Sequence, residues 1–313
     1  MGTSTTLGVV EFTEFQAPNG SIYKFDTTER FLMTEEGLGL PQITYITQKG
    51  PFQHGESLID YRLNTRTIQL VLRQDSCDRT EYWANRAALL DAVRPNRYVG
   101  YDFNPGILRK RFPDGSIREI KVIIEQGPVF AARSLDRWDE FGFTETLRFI
   151  AHDPIFYDPT INTESFSLSP GILDQLVFSI TFPIEFDSSY YNSGSTPVTY
   201  AGTWFSFPVI TITGPQFGTT IENLSTGEKI ALDYALSAGE VVTINLDYGN
   251  KTVTNAGGTN LIGTVTADSD LSTFHIAPDP EVAGGVNNLS VISMGNNEDS
   301  KVVVEYYTRY IGI

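Results

Sequence analysis

The chain has 313 residues, 41% of them apolar and 19% charged, which is room for two domains that each bury a core. Its formal net charge of −16 argues against a surface that grips DNA, which needs clustered Lys and Arg, but not against a wall past which DNA slides without sticking. One cysteine, Cys77, excludes an intrachain disulfide and suits folding in a reducing cytoplasm, and no apolar window approaches the roughly 18 residues of a membrane span.

Phe (20), Tyr (15) and Gly (27) are abundant, a composition that favours strands joined by tight turns. Residues 1–12 lack the basic start and apolar run of a signal peptide. Met1-Gly2 followed by Thr6 formally fits a myristoylation motif, although small residues behind Met are ordinary. The polar stretch 17–21, around Asn19-Gly20, predicts a first hairpin. Residues 29–37 and 40–47 read as a second strand pair, and Gly50-Pro51 as a breaker. Residues 57–73 read as one long alternating strand, cleanest where Ile68, Leu70 and Leu72 share a face. One helix is predicted, over 79–93. Asp78 and Glu81 form a capping box, Pro95 ends the helix, and Trp83, Ala87 and Leu90, flanked by Tyr82 and Ala88, make the apolar stripe that packs in the core. Cys77, just ahead of it, could have its pKa lowered by the helix N-terminus.

Strands return at 98–103, 108–112 and 117–124. Asn104-Pro105-Gly106 and Pro113-Asp114-Gly115 supply the turns, and the last strand is half exposed because Arg118 and Lys121 interrupt it. Residues 131–141 are polar without a clean period and read as a loop that reaches a neighbour. Residues 144–151 alternate again, with Leu147 and Phe149 on one face, until Asp153-Pro154 and Asp158-Pro159 stop the strand. The charge balance changes here too. Residues 1–160 carry 18 Lys and Arg against 22 Asp and Glu, and the remainder 4 against 16. The division read from this is a first domain over 1–160, a linker with first strands over 161–200, and a second domain over 201–313.

The second half carries almost no helix signal. Candidate strands fall at 175–183, 198–200, 209–213, 219–223, 228–232, 241–247, 252–254, 270–276, 288–293 and 301–310, separated by Gly-Pro, Thr-Gly, Gly-Asn and Gly-Gly turns. Many short strands at regular spacing predict a jelly roll of two facing antiparallel sheets. The fold class is therefore mainly β: a barrel- or sandwich-like first domain with one α-helix, then a β-sandwich.

No reaction centre can be read. His54, His152 and His275 are far apart and lie in no metal-ligand spacing; His152 reads as structural. G-x-S-x-G, P-loop and dinucleotide-binding patterns are absent. Asp268-x-Asp270 is half of a calcium pattern without its Gly and later Glu, so a solvated turn is the better reading. Without a motif His, Cys77 is no nucleophile. Nothing marks an enzyme, a cofactor site or a metal site.

The ordered succession of segments is similar to the distal tail protein (Dit) family of long-tailed phages. In the first half it runs from Arg66-Thr67-Ile68-Gln69-Leu70 through the helix and Pro95 to Asn104-Pro105-Gly106, residues 117–124, Leu147-Arg148-Phe149 and Asp153-Pro154. In the second half Pro208-Val209-Ile210-Thr211-Ile212-Thr213-Gly214, Ile221-Glu222-Asn223 with Thr226-Gly227, Asn287-Asn288-Leu289-Ser290-Val291 and the strand 302–310 resemble the family's pattern. It departs at 278–285, where Gly284-Gly285-Val286 replaces a simpler Pro-Gly-Glu. The resemblance implies a structural virion protein of the tail tip or baseplate, made in the host cytoplasm. The first domain would form a homo-hexameric ring whose lumen passes DNA. The tail tube protein and the tail hub or tail-associated protein would be its partners. A galectin-like second domain would carry adsorption machinery, such as receptor-binding proteins, and the tape measure is a further candidate partner. Within such a ring, Arg133, Arg137 and Trp138 of the 131–141 loop are the candidate inter-subunit contacts, because Arg and aromatic anchors are enriched at interfaces.

The competing reading is a carbohydrate-binding host-recognition module. Trp204, Tyr190 and Tyr191, with Phe205, Phe207 and Tyr200, are the rings that would stack on sugar faces.

Overall fold

The computed structural model describes residues 11–27, 29–94, 104–130, 142–168 and 191–313, with side chains at 191–193 excepted. The chain divides into two compact units, one of residues Met1–Pro159 with Tyr310–Ile313 and one of Thr160–Arg309. Each has its own buried apolar cluster.

The strands of the first unit are β1 (Phe12–Gln16), β2 (Ile22–Lys24), β3 (Arg30–Glu36), β4 (Ile43–Gln48), β5 (Ser57–Leu63) and β6 (Arg66–Asp75). Helix α1 (Arg79–Val93) follows, then β7 (Gly106–Arg111), β8 (Ile117–Gln126), β9 (Gly142–Ala151) and the start of β10 (Phe156–Ser167). Antiparallel pairing gives the order β3-β6-β9-β8-β7-β1-β2. The sheet rolls up: Thr13 Oγ1 on β1 donates to Glu35 on β3 at 2.7 Å, and Lys110 on β7 pairs with the same carboxylate. Ile68, Leu70, Leu72, Leu147 and Phe149, on alternate positions of β6 and β9, are fully buried inside it.

The expected hairpins at Asn19-Gly20 and Pro113-Asp114-Gly115 are β1–β2 and β7–β8. The expected pairing of 29–37 with 40–47 does not occur. β3 pairs with β6, and β4 with β5. The long strand expected over 57–73 is two strands, broken at Asn64-Thr65 so that β5 and β6 join different sheets.

Helix α1 has the expected bounds. Asp78 accepts from Glu81 N at 2.8 Å, and the Glu81 carboxylate turns back to Cys77 N, one residue outside the usual reciprocal bond. The face it buries is not the expected one. Leu89 and Val93 are buried, Tyr82, Arg86 and Ala92 are half-buried beside them, and Trp83 and Leu90 are exposed. Arg86 is the reason: its guanidinium lies 4.0 Å from the Phe130 ring centroid and also over Tyr82 and Trp83. It thus takes an inward place that a polarity pattern gives to solvent.

The second unit contains β10 from Thr160 onward, β11 (Tyr191–Thr199), β12 (Val209–Thr213), β13 (Phe217–Asn223) and β14 (Glu228–Leu232). It continues with β15 (Val241–Asn245), β16 (Thr252–Asn255), β17 (Val286–Met294) and β18 (Lys301–Tyr310). One sheet runs β16-β15-β12-β18-β10 and the other β11-β17-β13-β14. Ile210, Ile212, Val242, Ile244, Val302 and Val304 from the first meet Ile221, Ile230, Leu289 and Val291 from the second. Pro197 sits on β11, an edge strand, where a missing donor is tolerated. The strand expected over 270–276 is a loop. Thr273 N and Phe274 N donate to Asp270 O, and the Lys251 ammonium takes the carbonyls of Leu271 and Ser272, so this backbone bonds to a turn and a side chain instead of a ladder. The strand expected over 175–183, like that over 98–103, falls outside the described residues.

Candidate subunit interface

Strands β4 and β5 form a two-stranded ribbon; among the described residues they pair only with each other. The register sets Ile43 against Leu63 and Tyr45 against Tyr61, two residues apart along each strand and so on one face. Ile59, two residues from Tyr61, continues that face at the bulge between Ile46 and Thr47. Thr44 and Arg62, and then Ile46 and Asp60, occupy the other face. The ribbon is therefore amphipathic. Its apolar face is nonetheless open, with Tyr45 59%, Tyr61 47% and Ile59 60% exposed. Leu58 and Phe52, at its far end, are exposed as well.

A solitary hairpin is marginal in water, because two strands bury too little to offset the cost of ordering them. A ribbon with a built apolar face needs a third layer. A large rigid aromatic pair at the centre of such a face is the usual anatomy of a protein contact, in which Tyr anchors carry much of the energy. Sequence reasoning missed this surface. The alternation of 57–63 was visible, but alternation reports which side chains share a face, not whether the chain's own core covers it.

The candidate contacts Arg133, Arg137 and Trp138 lie outside the described residues, as do Tyr190 and the side chain of Tyr191. Trp204 is half-buried and begins a row of rings. Its ring lies 4.6 Å from Phe205, Phe205 5.3 Å from Phe207, and Phe207 4.9 Å from Tyr248, which is exposed. Lys251 lies over Phe207 and Tyr248, and burial pushes its ammonium pKa down. Tyr200, expected among the stacking rings, is buried, and its hydroxyl donates to Trp204 O at 2.6 Å.

His275 Nε2 lies 2.8 Å from Glu281, and its Nδ1 3.0 Å from Glu228. His54 and His152 are exposed on separate loops. Asp268 is filled by protein donors: the Lys229 ammonium at 2.6 Å and the Thr266 hydroxyl hold its pKa down to about 2, and Asp270 accepts from Lys229 N. Cys77 behaves opposite to expectation. The neighbouring Glu81 charge and its hydrogen bond push the thiol pKa up, so the carboxylate of the capping box outweighs the helix N-terminus. Among the described residues no helix is long and apolar enough to cross a membrane.

Residues 201–310 match the family model of the siphovirus-type tail component, C-terminal domain, the family of SPP1 Dit. Among solved structures, the crystal structure of the Dit protein of phage SPP1, described as a paradigm of the hub adsorption apparatus in phages infecting Gram-positive hosts, is similar. It covers 96% of this chain and 99% of its own, at 14% identity and a TM-score of 0.61. Two structures of the phage P2 baseplate in its activated conformation, with Ca and with Sr, cover 95% of this chain and 98% of theirs. Their identities are 10% and 12%, with TM-scores of 0.47 and 0.46. No curated protein matches the chain.

Proposed function

We propose that this chain, a structural tail component of the siphovirus distal tail (Dit) family, closes into a homo-hexameric ring between the tail tube and the tail tip. The observation that carries the ring is the β4–β5 ribbon, whose apolar face the described residues of its own chain leave open. A copy that gives this ribbon and receives another's on a different surface makes a heterologous contact, and such contacts form a ring when the rotation between copies closes. A stable contact of this kind buries about 1,200–2,000 Å². The ring joins the tail tube protein to the hub or tail-associated protein, with the tape measure as a further candidate partner, and its lumen passes DNA. The second unit, galectin-like in this reading, carries receptor-binding proteins. The role is architectural rather than catalytic, and its place is the virion after synthesis in the host cytoplasm. Residues Arg133, Arg137 and Trp138 belong to the same interface in this reading.

Light scattering tests it. The full chain should give the mass of six copies, alone or with the tube or hub protein present. Tyr45→Ser combined with Tyr61→Ser should return it to monomer with an unchanged circular dichroism spectrum. A wild-type chain that stays monomeric with both partners present, or a ring indifferent to the double variant, overturns the proposal.

The row Trp204–Phe205–Phe207–Tyr248 favours one second reading, a glycan surface on the second unit. A ring row ending in an exposed Tyr, with Lys251 beside it, offers stacking faces and a donor to a sugar. Binding on a glycan array that Tyr248→Ala and Trp204→Ala both abolish would support it; an array with no binding would remove it.

A further inference from the structure

We infer that Arg66 and the last three residues, Ile311–Ile313, form a clamp that sets the direction of the β4–β5 arm, and so act as positioning residues for assembly. The functional half of this inference rests on the ring reading above; the mechanical half does not.

Arg66 is the largest fully buried side chain in the described structure, and every hydrogen-bond partner it has there is a main-chain carbonyl. Nε donates to Pro154 O at 2.6 Å, Nη1 to Gly37 O at 2.7 Å and to Gly39 O, and Nη2 to Ile311 O at 2.5 Å. The guanidinium plane lies over the Phe156 ring, 4.7 Å from its centroid. Burial pushes its pKa down to about 10, still well above neutrality, so the charge is kept and spread over four carbonyl dipoles. Only the planar fork of an Arg reaches several carbonyls in different directions from one buried point.

The position of these carbonyls is what connects the cluster to the arm. Gly37 and Gly39 lie in the segment that leads into β4, and Arg66 opens β6, just after β5 ends. Both roots of the ribbon are therefore tied to one guanidinium. The C-terminal residues grip the same segment from their own side. Ile313 N donates to Leu38 O at 3.0 Å. A Cβ on Gly312 would lie 3.0 Å from the carbonyl carbon and oxygen of Gly39, so the two backbones meet with no room for a side chain. Phe156 belongs to the core that also holds Leu70, Leu72, Leu147 and Phe149, and Leu38 and Ile313 pack against it, so the clamp is seated on the core of the rolled sheet. What the clamp adds beyond that packing is a fixed angle for a ribbon that has no third strand among the described residues. A pre-set arm meets its neighbour without losing rotational freedom at that moment, which is how preorganisation raises affinity.

The test uses spin labels at Lys49→Cys on the arm and Lys121→Cys on the sheet, in a Cys77→Ser background, measured at a dilution where the chain is monomeric. The intact chain should give one narrow distance distribution. A chain ending at Tyr310, and Arg66→Met, should broaden it while near-ultraviolet dichroism keeps its native form; Arg66→Lys, which keeps the charge but not the fork, should fall between. Ring association should weaken about tenfold, equivalent to about 1.4 kcal/mol. A distribution unchanged by the truncation, rings that form equally well without residues 311–313, or loss of native dichroism in both variants each overturns the inference. If the labels respond as expected but no variant or wild-type ring forms, the clamp stands and the ring reading fails.

Discussion

Arg109 on β7 stands in register between Glu14 on β1 and Glu119 on β8, so three adjacent strands carry a cation flanked by two anions. The carboxylates are nearly buried, at 2.7 Å and 2.5 Å from the guanidinium. Burial alone would lower the Arg109 pKa, but the hydrogen bonds to Glu14 and Glu119 outweigh it and raise it. Arg109→Met would leave two buried carboxylates facing each other across one strand. It should cost on the order of 3–5 kcal/mol in urea unfolding of the first unit. On α1, Leu89→Ala should cost about 2–5 kcal/mol because Leu89 is fully buried. Trp83→Ala, at a position 54% exposed, should cost within about 1 kcal/mol. The same melting experiment ranks the two and so fixes the helix phase. In the second unit, burial and then the Glu164 charge push the Tyr306 phenol up to about 12. The unfolded chain therefore releases that proton near 10 and the folded chain only near 12. This contribution to stability is whole below pH 10 and is lost as pH rises towards 12. Tyr306→Phe should move the alkaline unfolding midpoint, followed by circular dichroism, to higher pH.

Elements whose signal is local were legible in the sequence. The Asp78 cap and the α1 bounds are there, and the β7–β8 turn is closed by Asp114, which accepts from Ser116 N and Oγ at 2.8 and 2.7 Å. Pairings between distant strands were not. Nothing in residues 29–37 says that their partner is β6 and not the next strand along, because the choice depends on a tertiary fit at Gly37. That glycine has φ +89, and a Cβ there would lie 2.0 Å from Thr67 O. Gly37→Ala should therefore cost at least about 1–3 kcal/mol, through strain at positive φ and displacement of β3 from β6. A thermal melt should show it, with increased hydrogen exchange across 30–36 as the local signature. The arm was hidden for the same reason. Tyr45, Ile59 and Tyr61 look like core residues to any reading of periodicity, and only the three-dimensional structure shows them exposed and outside either buried cluster of the described residues. Arg66 was visible only as a basic residue at a strand end, while its four carbonyl partners come from positions up to 245 residues away.

At the scale of the whole chain, the second unit is sequence-continuous and the first is not, since it takes back Tyr310–Ile313 after the second is complete. The matched family region begins at residue 201, but the core of the second unit begins earlier. Phe166 and Leu168, at the end of β10, and Val198 and Tyr200, at the end of β11, are buried in it. β10 also lies beside β18, where Asn162 Nδ2 reaches Tyr306 O and Thr308 Oγ1, and β11 pairs with β17 over nine residues. A fragment of 201–313 would lose both neighbouring strands, expose the edges of β17 and β18, and open the space of four buried side chains. Unpaired apolar edges invite association between chains. A fragment of 160–309 keeps every one of these residues. Expressed separately, 160–309 should be monodisperse with a cooperative melt, and 201–313 should aggregate or melt without cooperativity. A fragment of 1–159 should fold but melt below the same unit supplied with its last four residues, because Arg66 then lacks the Ile311 carbonyl and Leu38 O its donor from Ile313. Size-exclusion chromatography and calorimetry on the three fragments decide the division. A cooperative, monodisperse 201–313 would place the boundary at the family limit instead of at residue 160.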